Sequence, residues 1–256
     1  TGRVYLSVVS KYLGSGTGDN SKNGGVVRFT SSGAIDTTFG SNGVAKSGWY
    51  VNGYYGSVAL DASGRVYLSV ETKYLGSETG DNSKNGGVVR FTSSGAIDTT
   101  FGSNGVAKSG WYDNGSIGSV VLDASGRVYL SVKTKYLGSG TGDNSNNAGV
   151  VRFTSSGVID TTYGSNGVAR TGWEDQNERH NAIRVDSAGG IMMATLSRYV
   201  SGGGSNSQNG CIVRFTSTGS LDTTFGDQGV ARSGWPHQSY SGSVSLVDAA
   251  DGGVIL

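Results

Sequence analysis

The chain has 256 residues, with 20 basic and 19 acidic side chains and a formal net charge of +1 at pH 7. This balance gives no electrostatic footprint for nucleic acid or for an anionic membrane surface, which argues against both as partners. Glycine occurs 45 times, which indicates a chain dense in turns, and the single cysteine, Cys211, excludes a disulfide framework.

No apolar run approaches the roughly 20 residues that span a bilayer, so membrane insertion is not expected. No signal peptide is visible either, but the chain starts at Thr1 rather than at a methionine. We therefore interpret it as an internal or processed segment, in which a missing targeting signal has little meaning.

One stretch, FTSSGAIDTTFGSNGVA, recurs through the whole chain. It occupies residues 29–45 and returns with few changes at 91–107, 153–169 and 215–231, a step of 62 residues each time. A period of this length without a helical pattern is typical of arrays whose units cannot bury their apolar face alone. The copies therefore define repeats of a single domain that covers residues 1–256.

The second repeat shows how each unit is predicted to begin. Strand A spans residues 57–60 and strand B spans 65–74, and a tight turn joins them into a hairpin. Asp61 is expected to bond the backbone of this turn, and Gly64 is expected to take a positive φ.

The second half of the unit follows a polar connection at residues 76–86. Strand C is predicted at 87–92, a second tight turn at 93–95, and the outer strand D at 106–109. Each repeat is therefore expected to form one four-stranded antiparallel sheet.

Strand B carries apolar residues on both faces, because Val66, Leu68 and Val70 alternate with Tyr67. Sheets of this kind suit the blades of a β-propeller, in which each sheet packs on a neighbour from either side and only short edges stay exposed. The predicted fold class is all-β, a β-propeller built from 62-residue four-stranded repeats with at least four blades.

Strand B is recognisable five times, at 2–8, from 64, 126 and 189, and at 252–256, against four copies each of strands A, C and D. A four-bladed ring could close by placing the last strand A, 243–247, beside the first strand B. The alternative, which we favour, is a piece of a larger ring or tandem array that is cut within strand B at both ends.

The recurrent stretch, with LDASGRVYLSV ahead of it, resembles the bacterial delta-60 repeat family, whose units carry an aromatic-turn-Gly-x-Leu/Ile-Asp-x-x-Phe-Gly signature after an Asp-x-x-Gly hairpin. The resemblance covers essentially the whole chain. It implies a β-propeller of largely uncharacterised function, extracellular or at the cell surface of a bacterium. Two departures are a longer B-to-C connection and near identity of the first copies, since residues 2–63 and 64–125 differ at 7 positions.

Alternating strand directions place the B-to-C and D-to-A connections on one edge of the blades. The D-to-A segments are the most divergent part of the repeat, and variable loops on a rigid scaffold are where binding residues are usually found. Their aromatic rings could stack on a pyranose while amides and carboxylates bond its hydroxyls. The candidate ligand-binding residues are Trp49, Tyr50, Asn52, Tyr54, Trp111, Tyr112, Asp113, Trp173, Glu174, Trp235 and Tyr240.

The competing interpretation of the tryptophans is structural. A buried indole removes enough apolar surface from water to contribute roughly 4 to 6 kcal/mol. We therefore favour a structural role for the recurrent tryptophans, in which they pack between adjacent blades. For Tyr50 and Tyr54, a structural role and a place on a binding surface are equally favoured.

The B-to-C connection contains DNSKNG at 19–24 and 81–86, and DNSNNA from Asp143. The first two match a relaxed calcium-loop pattern, but each supplies one carboxylate and no acidic residue stands at the twelfth position. A polar turn is favoured over weak calcium binding, and no other cofactor is expected. The candidate calcium ligands are Asp19, Ser21, Asn23, Asp81, Ser83, Asn85 and Asp143.

The densest charge cluster, residues 174–180, contains Glu174, Asp175 and Glu178. Two of these carboxylates could act as acid and base on a glycosidic bond, but no nucleophile motif or metal-ligand spacing accompanies them. A solvated loop is the favoured interpretation, and no enzymatic activity is expected.

The sequence therefore predicts a non-enzymatic, secreted or surface-attached propeller that adheres to glycan or extracellular matrix, with avidity from several weak sites. The alternative is a structural module that assembles with copies of itself into a filament, sheath or array, because a surplus strand can add to another chain's edge. A glycan-cleaving enzyme is a minor third hypothesis.

Overall fold

The computed structural model describes residues 2–11, 22–51, 56–73, 84–113, 117–135, 146–171, 182–197, 208–237, 246–248 and 254–255. In chain order the strands are β1 (Val4–Lys11), β2 (Lys22–Phe29), β3 (Val44–Val51), β4 (Val58–Leu60), β5 (Val66–Lys73), β6 (Lys84–Phe91), β7 (Val106–Asp113), β8 (Ile117–Leu122), β9 (Val128–Lys135), β10 (Asn146–Phe153), β11 (Val168–Arg170), β12 (Ala182–Val185), β13 (Ile191–Ser197), β14 (Gln208–Phe215), β15 (Val230–His237), β16 (Val247–Asp248) and β17 (Val254–Ile255). Within these ranges no helix has the length and apolar character needed to cross a membrane.

The described strands form antiparallel sheets that follow the repeat. Three sheets contain strands A, B, C and D in that spatial order, namely β4 to β7, β8 to β11 and β12 to β15. The first sheet contains β1, β2 and β3, which correspond to B, C and D. These four sheets are called blades 1 to 4 in chain order. The predicted all-β class and the four-stranded repeat unit are confirmed.

A fifth, two-stranded sheet contains β16 and β17, which correspond to strands A and B. The described chain thus has five B strands and four each of A, C and D, as predicted. However, β16 pairs with β17, and β1 pairs with β2 in a separate sheet. In the described residues, the last strand A is therefore not paired with the first strand B.

The A-to-B hairpin is built as predicted. The Oδ1 atom of Asp61 accepts hydrogen bonds from the backbone N–H groups of Ser63 and Arg65 at 2.9 and 3.0 Å. Gly64 has a φ of 76°, and its N–H donates to the carbonyl of Asp61. The Nε atom of Arg65 also donates to Asp61, at 2.6 Å. This turn and the C-to-D segment, residues 92–105 in blade 2, form the turn edge of each blade.

Blades 2 and 3 bury both of their faces. On strand B of blade 2, Val66, Leu68 and Val70 belong to a cluster that includes residues of blade 1, whereas Tyr67 belongs to a cluster with blade 3. Val66 and Tyr67 are both fully buried. The core therefore consists of successive layers between blades, and no single blade encloses a core of its own.

A buried arginine on strand C fastens each blade to the next. Arg90 donates from Nε to Asp98 at 2.8 Å, from Nη2 to Thr100 at 3.0 Å, and from Nη1 to the carbonyl of Ser155 in blade 3 at 3.0 Å. The N–H of Gly102 donates to the carbonyl of Ser156 at 2.8 Å. Arg28 and Arg152 make the same three bonds in blades 1 and 3. We call this arrangement the interblade clasp.

The aspartates of the clasp have lowered pKa values. Burial acts to raise the pKa of Asp98, but the hydrogen bonds from Thr100 and Arg90 outweigh burial. The same balance lowers the pKa of Asp160, and in Asp36 the hydrogen bond from Thr38 is the largest cause of the lowering. Each carboxyl is consequently held in its charged form in the folded protein.

One layer contains an unsatisfied hydroxyl. An edge-to-face aromatic pair lies within each of blades 2 and 3, on the face that packs on the following blade: Tyr67 with Phe101 at 5.7 Å between ring centroids, and Tyr129 with Tyr163 at 5.8 Å. Tyr163 is fully buried, and its Oη atom has no hydrogen-bond partner among the described residues. Burial raises the pKa of Tyr163 well above its usual range. The equivalent residue in blade 2, Phe101, has no such hydroxyl.

Candidate functional site

The loop edge is the end of the blades at which strand B ends, strand C begins and strand D ends. In blade 1, Lys22 on strand C pairs with Lys11 on strand B and with Val51 on strand D. In the next row, Asn23 pairs with Ser10 and with Tyr50. The prediction that the B-to-C and D-to-A connections leave from one edge is therefore confirmed for the strand ends that the structure describes.

A wide bulge on strand D precedes this edge. Asn23 pairs with Tyr50 and Gly25 pairs with Lys46, so three residues of β3, Ser47 to Trp49, stand opposite Gly24 alone. The same register shift occurs in blade 2, where Ser109 to Trp111 stand opposite Gly86, and in blade 4 at residues 233–235. Bulges increase local twist and redirect the strand that follows. Here they set the direction of strand D just before the loop edge.

Beyond the bulge, an amide position on strand C pairs with an aromatic position on strand D. Asn23 pairs with Tyr50 in blade 1, and Asn85 pairs with Tyr112 in blade 2. In blade 4 the equivalent row is Asn209 with Pro236, so the amide position is kept there but the aromatic position is not. Directly opposed positions in an antiparallel pair lie close enough for their side chains to act on one ligand. The structure thus joins residues that the sequence assigned to two separate sites.

The predicted location of several binding candidates was wrong. Trp49, Tyr50, Trp111, Tyr112, Asp113 and Trp235 were placed in D-to-A loops, but they lie in strands β3, β7 and β15. Strand D was predicted to end at Ser109 because a glycine, Gly110, follows it. That glycine lies inside the bulge, and the strand resumes pairing beyond it. The remaining ligand-binding candidates, Asn52, Tyr54, Trp173, Glu174 and Tyr240, lie outside the described residues.

Of the candidate calcium ligands, two lie in strands and the others lie outside the described residues. Asn23 and Asn85 were predicted in the B-to-C connection, but they lie in strands β2 and β6, where they pair on both sides. Asp19, Ser21, Asp81, Ser83 and Asp143 lie outside the described residues. In the part of the chain that the structure describes, no group of three or more His, Cys, Asp and Glu residues is placed to hold a metal ion. Weak calcium binding by the loops stays a prediction.

The charge cluster at residues 174–180 also lies outside the described residues. Cys211 is buried on strand β14 within the layer between blades 3 and 4. Its position corresponds to Gly25, Gly87 and Gly149 in the other blades, which agrees with the role of a small core side chain.

Lysine pairs lie at the outermost row of the loop edge. Lys11 is directly opposite Lys22 in blade 1, and Lys73 is directly opposite Lys84 in blade 2. In blade 2 the row continues to Asp113 on strand D. Like charges in directly opposed positions destabilise a sheet. Four lysines therefore occupy paired positions in the outermost rows of blades 1 and 2.

Sequence reasoning missed two recurrent features. The first is the clasp, whose signal is an arginine within an apolar strand and an aspartate eight residues later: Arg28 with Asp36, and Arg90 with Asp98. The second is the bulge, whose signal is the tripeptide Ser-Gly-Trp between a short strand D and an aromatic position. The arginine–aspartate pattern occurs in all four copies, whereas Ser-Gly-Trp occurs in three and is followed by an aromatic residue in the first two.

The comparison with family models agrees with this architecture. Residues 11–39, 74–101 and 199–225 match a family model described as "Domain of unknown function (DUF5122) beta-propeller". A search of curated proteins finds no match. The similar solved structures include a mutant of a Bombyx mori GH32 β-fructofuranosidase in complex with sucrose, with 8% identity and a TM-score of 0.40 over 93% of this chain and 47% of that one. The chain thus spans about half the length of that enzyme's structure.

Proposed function

The chain carries DUF5122 β-propeller repeats of the delta-60 type, and from that premise we propose that it is a non-enzymatic binding module whose loop edge attaches to glycan. The observation that carries the proposal is the pairing of an amide position with an aromatic position beyond a bulge, at the same edge of successive blades. An aromatic ring can cover the apolar face of a pyranose, while an adjacent amide both donates to and accepts from its hydroxyls.

Repetition of the row supports binding to a polymer. Blades 1 and 2 present identical pairs, Asn23 with Tyr50 and Asn85 with Tyr112, on rigid strands. Two weak contacts on one rigid body gain roughly 10²-fold or more in avidity when both engage one ligand chain. A polysaccharide or a matrix glycan, which offers the same unit many times, is the ligand class that benefits from this arrangement.

The lysine rows narrow the ligand class. Lys22 and Lys84 occupy the row next to the amide–aromatic pairs in blades 1 and 2. In blade 1, where Val51 rather than an aspartate completes the row, an anionic group bound there would relieve the repulsion between Lys11 and Lys22. The proposed ligand is therefore a glycan with carboxylate or sulfate groups, and its binding weakens as salt is added. Such glycans occur outside cells, so the proposal includes a secreted or surface-attached location.

The experiment is a glycan array that contains matched neutral and acidic chains, probed with the full chain and with a double variant, Tyr50→Ala with Tyr112→Ala. The expected result is binding to acidic glycans that falls about a hundredfold in the double variant, because both rows lose their stacking surface. The double variant Tyr50→Phe with Tyr112→Phe keeps the rings and is expected to bind. Ser125→Ala, at an exposed position of the turn edge, is the control for an unrelated surface change.

Two results would contradict the proposal. The first is a folded protein that binds no glycan, and the second is binding that persists in the alanine double variant. Incubation of each bound glycan with the wild-type chain tests the absence of enzymatic activity, since cleavage that is lost in Glu174→Gln would establish a glycosidase. Chelator and calcium additions in the same assay show whether the B-to-C loops contribute a metal.

A further inference from the structure

Successive positions on a strand belong to different faces of the blade. In blade 2, Val66, Leu68 and Val89 belong to the cluster shared with blade 1, and we call this side the leading face. Tyr67 and Val88 belong to the cluster shared with blade 3, and we call this side the trailing face. Because strand residues alternate between the two faces, the face of any strand position follows by counting from these buried residues.

The alternation continues along strand C toward the loop edge. A Cβ atom added to Gly86 would lie 3.4 Å from the Cγ1 atom of Val132 and 3.6 Å from the Cδ2 atom of Leu130, both on strand B of blade 3. A Cβ atom added to Gly87 would instead lie 3.8 Å from the Cγ2 atom of Val70, which belongs to the leading face of blade 2. Gly86 is therefore a trailing-face position and Gly87 is a leading-face position.

The lysine row and the amide–aromatic row of one blade consequently belong to opposite faces. Lys84 is two residues from Gly86 along the continuous strand β6, so it occupies a trailing-face position on the side of blade 3. Asn85 is two residues from Gly87 and occupies a leading-face position. Tyr112 pairs directly with Asn85 and shares that face, on the side of blade 1.

A lysine row and an amide–aromatic row of different blades border the same cleft. Two residues outward from the contact of Gly86 with blade 3, strand C reaches Lys84 and the facing strand B reaches Thr134. The equivalent positions between blades 1 and 2 are Lys22 and Thr72. In this layer β3 of blade 1 packs on β5 of blade 2, and facing sheets lie about 10 Å apart. The two rows therefore form the two walls of one cleft at the loop edge.

The cleft between blades 1 and 2 combines a cationic wall with a wall suited to a sugar ring. Blade 1 supplies Lys11 and Lys22, which pair directly. Blade 2 supplies Thr72, Asn85 and Tyr112, which form one row across three strands. Two ammonium groups suit a carboxylate or sulfate, a hydroxyl and an amide suit ring hydroxyls, and an aromatic ring suits the apolar face of a pyranose. Together they meet the chemical requirements of one acidic sugar residue.

The next two clefts contain only part of this set. Between blades 2 and 3, the lysine row includes Asp113, and the sequence position equivalent to Tyr112 is Glu174, which lies outside the described residues. Between blades 3 and 4, Asn146 takes the place of one lysine, and Pro236 takes the place of the aromatic residue. Among the clefts that the structure describes between blades 1 and 4, the first alone joins a lysine pair without an acidic residue to an aromatic row.

We propose that the anionic-glycan site is a composite of blades 1 and 2. The lysine pair of blade 1 binds the acidic group of one sugar residue, and the row of blade 2 that ends in Tyr112 binds the ring of the same residue. This inference rests on the proposed function, because it takes an acidic glycan as the ligand, and it assigns that ligand to one cleft. Tyr112 is then the aromatic residue that acts together with Lys22, although Tyr50 lies in the row next to Lys22 within blade 1.

A double-mutant cycle tests which aromatic residue acts with the lysine pair. The probes are hexamers of galacturonate and of sulfated galactose, with the methyl-esterified and unsulfated hexamers as neutral counterparts, and affinity is measured by titration calorimetry. Lys22→Gln and Tyr112→Ala are each expected to weaken binding of an acidic hexamer about tenfold. Their double variant is expected to lose clearly less than the product of the two factors, because one sugar residue contacts both walls. In the matched cycle of Lys22→Gln with Tyr50→Ala, the two factors are expected to multiply.

A matched pair of lysine variants tests the choice of cleft. Lys22→Gln and Lys84→Gln make the same change at equivalent positions of blades 1 and 2. Lys22→Gln is expected to narrow the preference for acidic over neutral hexamers by about tenfold. Lys84→Gln is expected to narrow it by at most about threefold, because Asp113 already lies in that row. Circular dichroism melts establish that the variants fold, and Tyr112→Leu replaces Tyr112→Ala if the latter does not.

Two results would overturn the composite site and leave the proposed glycan binding intact. They are coupling of Lys22 with Tyr50 in place of Tyr112, and equal losses in Lys22→Gln and Lys84→Gln. Failure of both acidic hexamers to bind, or equal affinity for acidic and neutral hexamers, also overturns it. The glycan array then decides whether the proposed function fails as well, since a chain that binds other glycans retains that function without this site.

Discussion

The two edges of the blades differ in how closely their repeats agree. At the turn edge, the clasp recurs with nearly the same distances in blades 1, 2 and 3, and Arg28, Arg90 and Arg152 each reach the following blade. At the loop edge, strand A varies from three residues in β4 to six in β8.

This difference between the two edges indicates that they meet different structural requirements. The turn edge has to fit the next blade at every step, so its hydrogen bonds are fixed by contact with a neighbour. Toward the loop edge, strands A and B form other bonds between blades 2 and 3: the N–H of Val120 donates to the Oγ atom of Ser57 at 2.6 Å, and the Oγ atom of Ser69 donates to the carbonyl of Gly118 at 2.9 Å. Variation there leaves the layers between blades intact, which is the usual arrangement for a binding surface on a rigid scaffold.

The largest predicted effect concerns the clasp itself. Arg90→Ala is expected to lower the free energy of unfolding by about 3 kcal/mol, because the buried Asp98 carboxylate loses its cation and the Ser155 carbonyl loses a donor. Chemical denaturation followed by tryptophan fluorescence measures the change. Arg214→Ala, at the more exposed end position, is the control and is expected to cost less than half as much. Equal losses would show that the contact between blades is not the source of the stability.

The second prediction uses two glycines with the same backbone conformation. Gly33 and Gly157 have φ values of 84° and 85°, so alanine introduces about 1 kcal/mol of backbone strain at either position. Only at Gly157 does the new Cβ atom clash with a neighbouring blade, which adds roughly 1 to 3 kcal/mol. The difference between the two melting temperatures, measured at low protein concentration, isolates the contact between blades. A Gly33 variant as unstable as the Gly157 variant would contradict the comparison.

The third predicted effect is a loss of stability at low pH, to which all the clasp aspartates contribute. Their folded pKa values are lowered, so the folded state binds protons less readily than the unfolded state, in which an aspartate titrates near 3.9. The stabilisation is fully present above that pH and is lost as the pH falls through the lower folded pKa. Melting temperatures measured between about pH 2 and pH 7 are therefore expected to fall below about pH 4. Asp98→Asn should flatten part of this decline, whereas Ser125→Ala should leave it unchanged.

The smallest effect is a gain in stability. Tyr163→Phe removes a buried hydroxyl that has no partner among the described residues and restores the residue type of Phe101. We expect the free energy of unfolding to rise by about 1 kcal/mol. The reverse change, Phe101→Tyr, is the matched control and is expected to destabilise blade 2. A loss of stability in Tyr163→Phe would mean that the hydroxyl makes a bond to water or to another part of the chain.

Much of the fold follows from the sequence, because local patterns report the strands and tight turns directly. The alternation of Val66, Tyr67 and Leu68 predicts a strand with two buried faces, and the Asp61 turn has the bonds expected of it. Strand C was predicted to begin at Gly87 but begins at Lys84. Its polar start has no alternation, and its pairing depends on β5 and β7, the strands before and after it in the chain.

The candidate site was harder to predict for the same reason. A glycine before Trp111 looks like the end of a strand, although the partner strand shows that it belongs to a bulge. The clasp joins Arg90 to a carbonyl 65 residues away, and the sequence contains no local sign of that partner. Periodicity identifies which residues recur, but it does not say which residues of successive copies contact each other.

The acceptors of the clasp are main-chain carbonyls, at Ser93, Ser155 and Ser217. A hydrogen bond to a main-chain carbonyl does not depend on the side chains of the following repeat, so the clasp bonds are the same whichever copy follows. Whole repeats can then be inserted or deleted by unequal recombination in the gene, and the clasp between neighbouring blades still forms. The near duplication of residues 2–63 in 64–125 is the trace that such growth would leave.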